Sequence, residues 1–461
     1  MRKLVSNTGL LLSRTIGRCI PDPFVLAIAL TLLTALLALF LPGTFSDRGE
    51  ISLPVAILDS WWGNGGLWKL LEFSMQMALI LVSGYALAAS TPVKSLIKGI
   101  ANLPSSTATG AMLVAFVAIL TGLINWGLAL VVGALLARAV GRSLQSRGIP
   151  CHYPLLAAAG YVGLLVWHGG FSGSAPLSMT DPSNAAKVLP SSVAAEFASQ
   201  GIPLSQTILS PMNLVVSLGM LVIAPLFFLA ASPGRPEDHQ SPKDLGIDLE
   251  DSHTHQEQDG ILSRFLGVGL GLALLAGFAL YAYETGIQRL GLNQVNAVML
   301  GVGLILHASP TRYLRAVEEA ARGCAGIILQ FPLYAGVMGI MAASGMLAMF
   351  AEVAAQSSST TTLPLFTFVS AGIVNIFVPS GGGQWAVQGP IALTAGIDAN
   401  VPVGKMIMSV AYGDQLTNML QPFWALPLLA ITGVKAKDIV GYTALLMVVA
   451  AVWMGFGLLI F

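Results

Sequence analysis

The sequence is short of charge. Only 10% of its 461 residues are Asp, Glu, Lys or Arg, and 55% are hydrophobic. Ordinary soluble domains carry roughly 25% charged residues, so a soluble protein is excluded and a polytopic membrane protein is left. The 22 basic and 22 acidic residues cancel, which removes the electrostatic footprint that nucleic-acid binding needs. Cysteine is scarce as well. Cys19, Cys151 and Cys324 are odd in number and lack disulfide or metal-ligand spacing, so they read as buried, inert thiols. No cofactor or metal site is expected. The N-terminal "MRKLVSNTGLLLSRTIGRCIPDP" lacks a short apolar core followed by a small-residue cleavage site. It reads as a cytoplasmic amphipathic lead-in, not a removed signal peptide.

What the chain has is one apolar segment after another, and its basic residues order them. Such residues mark the cytoplasmic side, and a spanning helix takes about 20 residues. Arg2, Lys3, Arg14 and Arg18 place the N-terminus inside, 23–41 crosses outward, and 70–90 returns to Lys94 and Lys98. The apolar stretch 111–137 then ends at Arg138, Arg142 and Arg147, so both of its ends lie on the cytoplasmic side. It is too short to cross twice as helices and reads as a re-entrant hairpin tipped by Asn125, Trp126 and Gly127. Membranes tolerate such backbone only where it is buried in protein or lines a wet cavity.

Residues 153–179 form a span broken by "HGGFSGSAP", and 207–229 returns. Residues 233–262 are polar and acidic, a solvated cytoplasmic linker; its His239, His253 and His255 suit a disordered connection better than a metal site. Spans at 265–283, 295–307 and 323–350 follow. A second hairpin at 363–395, entered from outside, a second broken helix at 403–431 and a last span ending outside complete the chain. The expected architecture is an all-α membrane protein of about nine spans plus two hairpins.

The halves resemble each other. "QMALILVSGYALAAS" and "QFPLYAGVMGIMAAS" start at 76 and 330, an offset of 254. "GLIN" (122–125) matches "GIVN" (372–375) at 250, and "AGYVG…APL" aligns with "VAYGD…LPL" at 251, pairing Tyr161 with Tyr412. By the charge argument the paired segments run in opposite directions. This predicts an inverted repeat, 1–232 against 263–461, of the kind in which secondary transporters bind substrate at midplane between broken helices.

Four polar breaks should then converge: 125–127, 168–174, 380–384 and 414–421. Candidate substrate contacts are Asn125, Gly127, Ser172, Gly173, Ser174, Ser380, Gly381, Gly382, Gly383, Gln384, Asn418 and Gln421. Glycines admit a ligand close to backbone amides, and half-helix ends suit a carboxylate or a cation. Asp414 is the one acidic residue deep in an expected span, which marks it as functional; with Gln415, Thr417, Asn375 and His168 it is the candidate ion-coupling group, for Na⁺ or H⁺. No lysine or arginine falls in the breaks. A di- or tricarboxylate would be expected to meet a fixed cation, so a small monocarboxylate is the predicted substrate. "GFSG" near His168 also permits an intramembrane serine protease, but a catalytic base normally comes from a different element than its nucleophile. A passive channel is the more serious alternative.

Six blocks, in order, resemble the bacterial short-chain fatty acid transporter family, the acetoacetate/butyrate permease type: "PDPFVLAIALTLLT", "FSMQMALILVSGYALAASTPVKSLI", "INWGLALVVGA", "GGFSGS", "VPSGGGQWAVQGP" and "AYGDQLTNMLQPFWALP". The resemblance runs almost end to end and places the chain in the ion-transporter superfamily. It implies two inverted repeats, often a homodimer, a Na⁺ or H⁺ gradient, and uptake of acetoacetate and butyrate across the bacterial inner membrane. Two positions depart from the family pattern, which commonly has glycine where this chain has His168 and histidine where it has Gln384. The departure bears on the coupling ion and pH dependence more than on the substrate.

Overall fold

The computed structural model describes residues 23–41, 43–45, 49–63, 65–189, 193, 201–249, 260–286, 292–346, 349, 359–379 and 381–461. The N-terminal lead-in with Cys19, linker residues 250–259 with His253 and His255, and Ser380 lie outside them. The described residues are helical, with no strand among them.

The first half runs α1 (Pro23–Phe40), α2 (Leu53–Trp62), α3 (Leu71–Ala89), α4 (Thr91–Ala101), α5 (Thr107–Ile124), α6 (Trp126–Ser146), α7 (Tyr153–Tyr161), α8 (Ser174–Ser178), α9 (Pro182–Val188) and α10 (Pro211–Ala231). The second runs α11 (Ile261–Thr285), α12 (Leu292–His307), α13 (Pro310–Ala321), α14 (Ala325–Ala343), α15 (Leu363–Phe377), α16 (Gly381–Asp398), α17 (Val403–Thr417), α18 (Pro422–Thr432) and α19 (Ala436–Ile460). Proline sits in the first turn of α2, α4, α7, α10, α13, α15 and α18. There its missing N–H costs no intrahelical bond, so it starts a helix after each interruption.

Six described helices, or seven with the bent pair α3–α4 (81°), are long and apolar enough to cross a membrane. Two of the six are the arms of the first hairpin, Thr107–Ile124 and Trp126–Ser146, which the expected nine spans did not include, while the segments at 23–41, 323–350 and 363–395 contribute shorter apolar helices to the described residues. The first hairpin is longer than its apolar stretch: α5 and α6 extend from 107 to 146, and each arm passes the same test of length and composition. The extension carries Arg138 and Arg142 on α6, whose guanidiniums bond carbonyls of the linker and so remain within the helix. The residues 233–249 are therefore docked, not loose.

One apolar core joins the halves. Ile80, Val131, Leu155, Tyr412, Leu428 and Tyr442 belong to the same buried cluster. A glycine contact recurs in each half. A Cβ on Gly163 would lie 2.5 Å from the Ala118 carbonyl oxygen, and one on Gly122 2.3 Å from that of Gly163. In the second half Gly413, displaced by one residue from the 251 offset that pairs Tyr161 with Tyr412, makes the like approach: a Cβ on it would lie 2.2 Å from the Phe368 carbonyl oxygen, while one on Gly372 would lie 3.4 Å from that of Gly413. Each hairpin thus crosses its broken helix backbone against backbone.

Candidate functional site

Both interrupted helices unwind where the sequence has its polar breaks. After α7 the chain tightens into 3₁₀ turns at Val162–Leu165 and Trp167–Gly169 before α8. After α17 a single 3₁₀ turn, Asn418–Leu420, precedes α18. The second break is shorter than expected: Asp414, Gln415 and Thr417 lie in the last helical turn of α17, and only Asn418–Gln421 is irregular.

Each hairpin is tied to the break in its own half. In the first, Phe171 N–H donates to the Leu123 carbonyl (2.8 Å), and Ser172 Oγ accepts from Trp126 N–H (3.1 Å). Asn125 caps α6, its Oδ1 accepting from Gly127 N–H (2.9 Å) and Leu128 N–H (3.2 Å). The positive end of α6 is thus met by the protein's own oxygens. In the second, Asn375 Nδ2 donates to the Asp414 carbonyl (2.6 Å) and to Thr417 Oγ1 (3.0 Å). Gln421 Nε2 donates to the Asn375 carbonyl.

The two halves are then tied to each other. Gln415 Oε1 accepts from His168 N–H (3.1 Å) and Gly169 N–H (3.3 Å). Tyr161 OH donates to the carbonyls of Asn418 (2.7 Å) and Gln421 (3.1 Å). Gly381, at the second hairpin tip, presses on the first break: a Cβ there would lie 2.7 Å from Trp167 Cη2 and 2.9 Å from His168 Cε1. Trp126 meets Trp424 and Trp167 edge-on, at 5.1 and 6.5 Å between ring centroids. All four expected breaks therefore converge.

At their centre His168 and Asp414 are each 1% exposed. His168 Nδ1 lies 3.4 Å from Asp414 Oδ1, Nε2 accepts from Ala175 N–H (3.1 Å), and the ring stacks on Trp167 at 4.2 Å. Asn418, fully buried, sets its side-chain amide among Trp167 Nε1 (3.3 Å), the Asp414 carbonyl (3.1 Å) and Asn375 Nδ2 (3.0 Å). Gln384, also buried, donates to the Ala371 carbonyl and to Gln388, both at 2.9 Å. Asp414 Oδ2, Asn375 Oδ1, Gln384 Oε1 and Gln421 Oε1 have no hydrogen-bond partner among the described residues. Ser172, Ser174 and Gly383 are half-buried, Gly173 is buried and Gly382 is exposed.

The serine-protease geometry is not present. Ser172 Oγ is engaged by Trp126 N–H, while His168 turns one nitrogen to Ala175 and the other to Asp414.

Sequence reasoning overlooked Asn213, on α10. Its Nδ2 donates to the carbonyls of Gly169 (2.8 Å) and Ile208 (2.7 Å), and its Oδ1 accepts from Tyr412 OH (3.0 Å) and Ser217 Oγ (3.2 Å). A buried amide within an apolar span is the signal that marks it. A closed ring results: Asn213 grips the Gly169 carbonyl, Gln415 grips the Gly169 N–H, and Tyr412, one turn before Gln415, returns to Asn213.

The family model for short chain fatty acid transporters matches residues 4–461. A relative from Escherichia coli K12, provisionally named a short-chain fatty acid transporter, is 38% identical over 96% of this chain and 97% of its own. Another from Haemophilus influenzae, given the same name, is 36% identical over 95% and 96%. Among solved structures, the YdaH transporter of Alcanivorax borkumensis aligns over 95% of this chain and 97% of its own, at 17% identity and a TM-score of 0.44. The relatives are named as transporters, not enzymes, and the apolar helices make this chain a multi-pass membrane protein. The chain belongs to the short chain fatty acid transporter family.

Proposed function

We propose that this protein is a secondary active carrier for short-chain monocarboxylates such as acetoacetate and butyrate, driven by symport of H⁺ or Na⁺ in a bacterial inner membrane. One observation carries the reading: two hairpin tips and two helix breaks meet around a buried carboxylate, Asp414, in breaks that contain no lysine or arginine. The accessible edge of this centre, Ser172, Ser174, Gly382 and Gly383, offers hydroxyls and backbone to one carboxylate. The oxygens of Asp414, Asn375, Gln384 and Gln421 that have no hydrogen-bond partner among the described residues suit a cation or a proton. The recurring glycine contact and the matched blocks support two inverted repeats, 1–232 and 263–461. The charge pattern supports a cytoplasmic N-terminus and a periplasmic C-terminus. Alternating access moves the hairpin-bearing units against the outer helices.

The test is uptake of radiolabelled butyrate into proteoliposomes under Na⁺ and pH gradients imposed separately. Accumulation above the outside concentration under one gradient is expected. Equilibration alone under both would indicate a passive channel. Absence of any butyrate flux, with flux of another small acid, would change the substrate.

A further inference from the structure

The linker between the halves is held at two places of different chemistry. At residues 248–249, where its first described part ends, the grip is by guanidinium. Arg138 donates to the Asp248 carbonyl (3.0 Å) and to the Ile431 carbonyl (3.4 Å), and Arg142 donates to the Leu249 carbonyl. Arginine stays charged at every physiological pH, so this grip does not titrate.

In the middle the grip is by a histidine. Gln240 N–H donates to His152 Nδ1 (3.0 Å), and the Gln240 carbonyl accepts from Tyr153 N–H (2.9 Å). His152 is 2% exposed, and its Nε2 pairs with Tyr442 OH at 2.7 Å. Thr107 Oγ1 accepts from its backbone N–H (3.0 Å), and Tyr153 OH donates to the Thr432 carbonyl (3.0 Å). This middle grip therefore holds the linker to the starts of α5 and α7 and to the α18–α19 junction.

A backbone N–H can only donate, so Nδ1 of the docked His152 carries no proton. The proton of the neutral ring is on Nε2, directed at Tyr442 OH. An imidazolium has donors on both nitrogens, and its Nδ1–H would face the Gln240 N–H across 3.0 Å. The bond cannot survive that change, and burial leaves no water to solvate the new charge. The surrounding groups reinforce the direction. α6 contributes the cations Arg138 and Arg142 to the same linker. Tyr442 from α19, Cys151, Tyr153 and the linker's own His239, whose ring centroid lies 6.1 Å away, are the titratable side chains beside His152. Asp244 is spent on its own turn, accepting from Ser241 N–H and Oγ (both 2.8 Å); those bonds hold its carboxyl below the usual range.

We propose that residues 236–246 are a pH-operated latch: docked while His152 is neutral, released when it is protonated, and tethered throughout by Arg138 and Arg142. The sign follows from the bond. The docked form excludes a proton that the released form accepts, so docking is complete above the ordinary imidazole range and is lost as pH falls. The release itself does not depend on the transport reading. Its consequence does rest on it: where the coupling ion is H⁺, each imported carboxylate brings a proton to the side where the linker lies, so accumulation of cargo opens the latch; Na⁺ coupling brings none and leaves the latch to the ambient pH.

The experiment is hydrogen exchange on the purified full-length protein in nanodiscs, at about pH 7.5 and about pH 5.5, which bracket imidazole titration, with rates corrected for intrinsic exchange. The Gln240 amide should lose about tenfold protection or more at the lower pH, a change of about 1.4 kcal/mol, while the 247–249 region keeps its own. His152→Gln supplies a side-chain oxygen that accepts at either pH, so its protection should not change. Equal protection of wild type at both pH values would overturn the proposal, as would the same loss in His152→Gln. If His152→Gln does not fold, His239→Gln must retain the wild-type loss, and ¹⁵N-histidine spectra must show the Nε2–H form of His152 at the higher pH; failure of either sinks the latch. Because no substrate is added, these outcomes are separate from failure of butyrate uptake.

Discussion

His168 Nδ1 and Asp414 Oδ1 face each other at 3.4 Å, within ion-pair reach but beyond a good hydrogen bond. The other ring nitrogen settles the form of the histidine. Ala175 N–H donates to Nε2, so that nitrogen has no proton and the neutral ring presents Nδ1–H to the carboxylate. To become a cation His168 must give up the Ala175 bond. In this conformation its Nδ1 faces Asp414 Oδ1 without a made hydrogen bond.

His168→Gln should therefore leave the shape of the uptake–pH profile unchanged. Asp414→Asn should abolish accumulation against a gradient. The measurement is butyrate uptake in proteoliposomes across pH and Na⁺. A flattened profile in His168→Gln would move the proton carrier to the histidine.

The ring through Asn213 couples both breaks and predicts non-additive effects. Asn213→Ala strands the Gly169 carbonyl and Tyr412 OH in a buried setting, at a cost of about 1–3 kcal/mol. Tyr412→Phe removes one bond of the same ring. The double variant should be less destabilised than the two single effects added together, by at least about 0.5 kcal/mol. Unfolding measured in one detergent gives the cycle; strict additivity would mean that the ring does not act as a unit.

Much of this arrangement was legible in the letters, for reasons that also set the limit. Gly122, Asn125, Gly372 and Asn375 stand at matching places because a hairpin arm that crosses a broken helix needs a small residue near the crossing and a polar one to bond where the arm ends, Asn125 at the tip itself and Asn375 in the last turn of α15. Asp414 stood out because an isolated carboxylate in an apolar run has few structural uses. The roles of Asn125 and Ser172 were less legible. Both face the α6 terminus, and whether such an oxygen caps its own helix or meets a ligand depends on where the 46-residue-distant partner lands. Asn213 and the His152–Gln240 contact were hidden for the same reason. Their partners come from elements that no local pattern connects.

The glycines separate folding from transport. Gly413→Ala would place a methyl 2.2 Å from the Phe368 carbonyl oxygen, so the crossing must open, costing about 1–3 kcal/mol or more. Gly382→Ala meets nothing within 4 Å. Gly413→Ala should fall in expression and in thermal stability. Gly382→Ala should match wild type in both, and any loss of uptake it shows comes from the site. Fluorescence-detected size exclusion with a thermal ramp distinguishes the two; an unstable Gly382→Ala would mean that the second tip is packed rather than open.

The breaks' lack of fixed cations makes the sharpest prediction about cargo. On the proposed reading, a monocarboxylate entering beside Ser172 and Ser174 would meet hydroxyls, backbone dipoles and a co-transported cation, which would match its single charge. A dicarboxylate brings a second charge with no arginine or lysine in the breaks to receive it. An uncompensated ion taken from water costs several kcal/mol, and each 1.4 kcal/mol is tenfold in affinity. Succinate at about a hundredfold excess should therefore leave butyrate uptake almost unchanged, whereas acetoacetate at the same excess should suppress it. Adding a cation should reverse the preference in part: Ser174→Arg is expected to lose butyrate uptake and to gain inhibition by succinate. Potent succinate inhibition of the unaltered protein would require a cation outside the four breaks to reach the cargo, and the substrate class would have to be redrawn.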